Sequence, residues 1–155
     1  MASVSIIYGS TGGNTEMVAE AVQCALEDGG CKVGLMRVER YSIEELFSAI
    51  ENSDLFIIAA PTYGHGEMQE DLKPFLHELK SYDLKGKKCA VIGLGEAKYD
   101  AHYHIAAVPI IEEIIKDANG EFIFRPLRIS GSPVANLDRL IPLWTKGLIE
   151  EISKI

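Results

Sequence analysis

Leu55-Phe56-Ile57-Ile58-Ala59-Ala60 is an unbroken apolar run with no polar alternation. A strand with one wet face shows a period of two, so a run without that period belongs in the interior of a sheet covered on both faces, the setting of parallel α/β sheets. Val4 to Tyr8 is a shorter run of the same kind, and Lys88 to Gly93 reads as a further strand. Lys32 to Val38 alternates polar and apolar more than the others do, with Val33, Leu35 and Arg37 toward one side, which suits a sheet edge. Phe122-Ile123-Phe124 begins a fifth strand, read as uninterrupted to Ile129.

Helical patterns fall between these runs. Met17, Val18, Ala21, Val22, Ala25 and Leu26 recur at three- and four-residue steps until Asp28-Gly29-Gly30 stops them. Ser42 to Asn52 opens with a capping box, Ser42 and Glu45, and directs Leu46, Phe47 and Ile50 to the sheet. Glu70 to Leu79 and the stretch holding Val108, Ile111, Ile114 and Ile115 are further helices. In Leu137 to Ile155, Pro142 either kinks a helix or lies near its start. Strands alternating with helices along 155 residues predict one domain, residues 1–155, of the α/β class. The expected architecture is a doubly wound five-stranded parallel sheet; precedent for such sheets suggests the order 2-1-3-4-5, which periodicity alone does not set.

In that architecture ligands bind beyond the carboxyl ends of the strands, at the switch point between strands one and three. Three unusual loops would converge there. After the first strand, Gly9-Ser10-Thr11-Gly12-Gly13-Asn14-Thr15 opens a helix. Small residues allow a tight bend, and the following helix presents its positive end to an anion, with Ser10, Thr11 and Thr15 as hydroxyl donors. No lysine follows the glycines, and their spacing is not the dinucleotide fingerprint, so the loop suits a mononucleotide phosphate held by neutral donors. Taken alone, the loop equally suits a tight strand-to-helix turn. Pro61-Thr62-Tyr63-Gly64-His65-Gly66 follows the third strand, and Gly93-Leu94-Gly95 leads the fourth into the polar stretch 96–100.

Composition narrows the partners. The net charge of −8 disfavours nucleic acid and anionic membranes, and no apolar stretch approaches a bilayer span, so a cytoplasmic location is expected. Cys24, Cys31 and Cys89 form no C-x-x-C pair and no metal-ligand spacing with histidine, which favours reduced packing residues.

With its three loops placed together, the chain resembles the flavodoxins over essentially its whole length. Tyr8-Gly9-Ser10-Thr11 and Gly13-Asn14-Thr15-Glu16 are similar to that family's phosphate loop, Pro61 to Asp71 to its first flavin loop, and Gly93 to Asp100 to its second. The undivided segment 122–129 resembles the short-chain members. The resemblance implies non-covalently bound flavin mononucleotide (FMN) and a low-potential one-electron carrier that shuttles between semiquinone and hydroquinone, with no catalytic residue and no metal. It places Ser10, Thr11, Gly12, Gly13, Asn14 and Thr15 around the phosphate, and Pro61, Thr62, Tyr63, Gly64, His65, Gly66, Gly93, Leu94, Gly95 and Tyr99 around the flavin. Tyr63 and Tyr99 would flank the ring, although ordinary loop packing is the default for either alone. Gly64 would present its carbonyl to flavin N5. Glu67, Glu70, Asp71, Glu96 and Asp100 would disfavour an anionic flavin and dock a basic redox partner; a solvated acidic face is the simpler account. The implied state is a monomer.

Two departures stand out. The family usually carries threonine where this chain has Gly12, and Asp100-Ala101-His102-Tyr103-His104 replaces a shorter aromatic, cysteine and glycine run. Lys98, His65 and His102 add charge or titratable groups there. A flavodoxin-like NAD(P)H-dependent quinone reductase is the enzyme alternative. A phosphoacceptor domain fits poorly, because Asp54 begins its strand instead of ending it.

Overall fold

A computed structural model of the chain describes residues 1–10, 12–63, 67–95 and 105–155, with the backbone alone at 63 and 67. Parallel strands β1 (Ser3–Tyr8), β2 (Lys32–Arg37), β3 (Leu55–Tyr63) and β5 (Lys88–Gly95) pair in the order β2-β1-β3-β5. Two short pieces, β6 (Glu121–Phe122) and β7 (Leu127–Ser130), share the outer side of β5, while β4 (Glu67–Met68) turns back antiparallel on the end of β3. The five sheet positions therefore follow the expected order 2-1-3-4-5, with β2 at the edge.

Although the central strands are mostly apolar, their residues alternate between two cores. Ile6, Tyr8, Ile57, Ala59, Ala90 and Ile92 face α1 (Asn14–Asp28) and the C-terminal helix. Ile7, Phe56, Ile58, Cys89 and Val91 face α2 (Ile43–Glu51), α3 (Lys73–Leu79) and α4 (Ala107–Asp117). Helices on both faces explain why these strands need no polar side. Buried Ser5 in β1 is satisfied by the Ser53 hydroxyl at 2.6 Å.

Local rules account for most element boundaries. Ser42 and Glu45 make the reciprocal capping box at the start of α2. The proline of the last segment lies in the first turn of α5 (Leu140–Ile152), where a missing N–H breaks no helical bond; of the two readings of Pro142, the second holds. The stretch 70–79 divides into a 3₁₀ turn, Glu70–Leu72, and α3, with Pro74 again in the first turn.

The outer strand differs from the sequence reading. It is interrupted between β6 and β7: β5 advances three residues from Cys89 to Ile92 while its partner advances five, from Phe122 to Leu127. Two extra residues are looped out beside Pro126, which has no N–H to give the ladder. The Trp144 indole N–H donates to the Arg125 carbonyl at 2.8 Å, so the detour is anchored from α5. No inserted domain or long loop lies between the two pieces, as expected for a short chain. Among the described residues no helix is long and apolar enough to cross a membrane.

Candidate FMN site

At the carboxyl end of the sheet the loops after β1 and β7 and the ends of β3 and β5 line a cavity of about 140 Å³. It is lined by Ser10, Gly12, Asn14 and Thr15 from the first loop, Pro61 and Thr62 from the third strand, Leu94 and Gly95 from β5, and Gly131. Ligands of drug size occupy about 300–1,000 Å³. The cavity is of a size for the phosphate end of a mononucleotide.

The loop geometry comes from a few positions. Gly13 caps α1 with φ of 87°, in the left-handed region that only glycine enters freely, and its N–H donates to the Ser10 hydroxyl at 3.1 Å. That bond uses an acceptor lone pair of Ser10 and leaves the hydroxyl proton to donate. Among the described residues no side chain caps the N-terminus of α1. Its first-turn N–H groups therefore still need acceptors, and Asn14 and Thr15 of that turn line the cavity. Gly12 has its φ outside the left-handed region, and a Cβ added there meets no atom of the described residues within 4 Å. Gly9 is the opposite case, because an added Cβ would lie 2.3 Å from the buried Gln69 side chain.

Thr62 has a structural duty as well. Its hydroxyl accepts from the Ala107 N–H at 3.0 Å, tying the end of β3 to the start of α4. Pro61 pairs with Leu94 across the sheet, and Gly95 accepts at its carbonyl from the Gly131 N–H at 2.8 Å. These residues lie on extended strand ends, not in free loops. Gly93 does not line the cavity; a Cβ there would collide with Val108 and Ile105, at 2.3 and 2.8 Å, so its absence lets α4 approach β5. Thr11, Gly64, His65, Gly66, Lys98, Tyr99 and His102 lie outside the described residues, as do the acidic Glu96 and Asp100 and the replaced run 100–104.

Two contributors carry no local sequence signal. Gly131 reaches the cavity from the far end of the chain, at φ of 76°. Arg37, at the end of β2, donates to the Ser10 carbonyl at 2.7 Å and lies 3.5 Å from Glu16 in the first turn of α1. The Tyr8 hydroxyl donates to the same Glu16 at 2.8 Å; burial, and then that carboxylate, push its pKa up to about 12. Around the neighbouring turn, hydrogen bonds with Glu39 and Gln69 hold the Asp71 carboxyl below its ordinary range.

The donor set fits a phosphate. Among the described residues lining the cavity none carries a charge, their available donors are hydroxyls and backbone N–H groups, and a helix dipole points at the opening. A parallel sheet of this order with such a cavity at its switch point defines a mononucleotide-binding protein of the doubly wound class.

Comparison with known proteins agrees. The flavodoxin family model matches residues 6–144, and the chain belongs to the flavodoxin family. It is 34% identical over 154 residues to the flavodoxin of Maridesulfovibrio salexigens, covering 98% of this chain and 100% of that one. The crystal structure of oxidised flavodoxin 2 from Bacillus cereus superposes with a TM-score of 0.81 at 29% identity, over 99% of both chains. A short-chain flavodoxin associated with a non-canonical PDU bacterial microcompartment shares the fold at a TM-score of 0.85 and 24% identity, covering 98% of this chain and 99% of that one. The protein is thus an FMN-binding electron carrier and not an enzyme, and the quinone reductase alternative is not favoured.

Proposed function

We propose that residues 1–155 act as one FMN-binding domain, a monomeric, low-potential carrier that takes and gives electrons singly in the cytoplasm. The observation that supports this placement of the cofactor is the N-terminus of α1 opening on a cavity whose described lining residues offer uncharged donors, at the sheet switch point. FMN supplies the one-electron chemistry when bound. The chain supplies the rest. Ser10, Gly12, Gly13, Asn14 and Thr15 hold the phosphate, with Thr11 added from the sequence reading. Pro61, Thr62, Leu94 and Gly95 form the wall beside it, and the loops carrying Tyr63, Gly64 and Tyr99 receive the ring.

Acidic residues after β3, among them Glu70 and Asp71, join an overall charge of −8 to disfavour further negative charge on the bound group. The same charge suits redox partners with basic docking surfaces, whose association would weaken as salt rises. A cytoplasmic setting agrees with Cys24, Cys31 and Cys89 all being free thiols.

The test is an anaerobic reductive titration of the FMN-loaded chain followed by visible absorption. Reduction in two separated steps, with a long-wavelength band rising and then falling, is the expected result. Direct conversion to the fully reduced spectrum would overturn the single-electron cycle, and failure to retain FMN would overturn the placement of the cofactor.

A further inference from the structure

The phosphate site has no cation among its described lining residues, yet a guanidinium lies directly behind it. Arg37 engages three acceptors at once: Nη2 donates to the Ser10 carbonyl at 2.7 Å, Nη1 lies 3.5 Å from Glu16, and Nε pairs with Glu39. Its side chain is 21% exposed, so these interactions are only partly screened by water. Glu16 accepts from Tyr8 at the same time. The end of β1, the phosphate loop, the first turn of α1 and the edge strand thus meet at one side chain.

That arrangement has two consequences for an anion. The guanidinium is a planar fork whose donors point in defined directions, so it fixes the Ser10 carbonyl relative to α1 in a way that a lysine ammonium does not. Second, Glu16 and Glu39 place two carboxylates beside the loop, and Arg37 offsets part of that charge. Removing Arg37 would leave both carboxylates uncompensated near an incoming phosphate.

We propose that Arg37 is a positioning residue for the phosphate of FMN, holding Ser10 in place and offsetting the charge of Glu16 so that the loop is set for an anion before it binds. The inference rests on the reading of the cavity as the phosphate site. A guanidinium serving only to fasten the sheet edge would act on any flavin equally.

Riboflavin, which lacks the phosphate, separates these roles. FMN and riboflavin are each titrated into the flavin-free chain of residues 1–155, with binding followed by flavin fluorescence, for the unaltered protein, Arg37→Gln, Arg37→Lys and the Arg37→Gln/Glu16→Gln double variant. Loss of a hydrogen bond and charge acting on an anion site is expected to weaken FMN about tenfold in Arg37→Gln, with riboflavin changed less than about twofold. Arg37→Lys, which keeps the charge without the fork, should lie between, and the double variant should recover part of the FMN affinity. Equal weakening of both flavins, or unchanged FMN binding, would overturn the inference while the cavity assignment stands. An unaltered chain that does not prefer FMN to riboflavin would overturn both. Should Arg37→Gln fail to fold, the FMN-to-riboflavin affinity ratio of Arg37→Lys decides the matter: a reduced ratio supports the inference and an unchanged one overturns it.

Discussion

Gly12 and Gly13 are adjacent and chemically identical, but their surroundings give them opposite tolerances. Gly13 has φ of 87° at the helix cap, where a side chain is strained whatever room surrounds it. Gly12 lies outside that region and a Cβ there meets none of the described residues, so a threonine collides with none of them and adds a hydroxyl where the family usually has one. Gly12→Thr is accordingly expected to tighten FMN binding by about tenfold, the low end of the worth of one hydrogen bond to a charged group. A fluorescence titration giving equal or weaker affinity would count against it. The special character of the loop is visible in the sequence as clustered glycines and hydroxyls. Which glycine is conformationally required is not, because that depends on the angle at which α1 leaves β1.

At the scale of elements, the sheet edge and α5 illustrate what local patterns miss. The capping box of α2 could be read from Ser42 and Glu45 because both partners lie three residues apart in one chain segment. The break in the outer strand could not, since Pro126 signals an irregularity without saying that Trp144 will anchor the Arg125 carbonyl. Gly147, within α5, has a comparable explanation: a Cβ there would lie 2.4 Å from the Phe124 ring, whose centroid is 6.0 Å from that of Trp144. The helix approaches the detour closely because this residue has no side chain. Gly147→Val should therefore destabilise the fold by about 1–3 kcal/mol through overpacking, despite the higher helix propensity of valine. Urea denaturation would measure it, and an unchanged midpoint would show that Phe124 relaxes freely.

Across the whole molecule, alkaline pH probes the hydrogen-bonded hydroxyls that tie distant segments together. Tyr8 joins β1 to Glu16 of α1, and Tyr82 joins the connection after α3 to Glu51 of α2. Burial, followed by the Glu16 hydrogen bond, pushes Tyr8 up to about 12; the Glu51 hydrogen bond, followed by burial, does the same for Tyr82. Each group holds its proton more tightly folded than unfolded, where the ordinary value is 10.0. Between those values the folded state binds more protons than the unfolded one, so stability falls as pH rises from 10.0 to about 12. Denaturant midpoints across that interval should decline, and Tyr82→Phe should reduce the steepness. A flat profile would show that neither hydroxyl is protected by the fold.

What the sequence by itself determined was the succession of buried strands and amphipathic helices, the edge character of β2, and the glycine-rich bend from Gly9 to Thr15. These follow from periodicity and backbone chemistry within a few residues. Only the tertiary structure decided that Gly131 closes the cavity, that Gly93 serves α4 packing, that Thr62 ties β3 to α4, and that Arg37 backs the Ser10 carbonyl across a gap of 27 residues. Each depends on where a crossover returns the chain, and through-space distances of a few ångströms leave no period in the sequence between their partners.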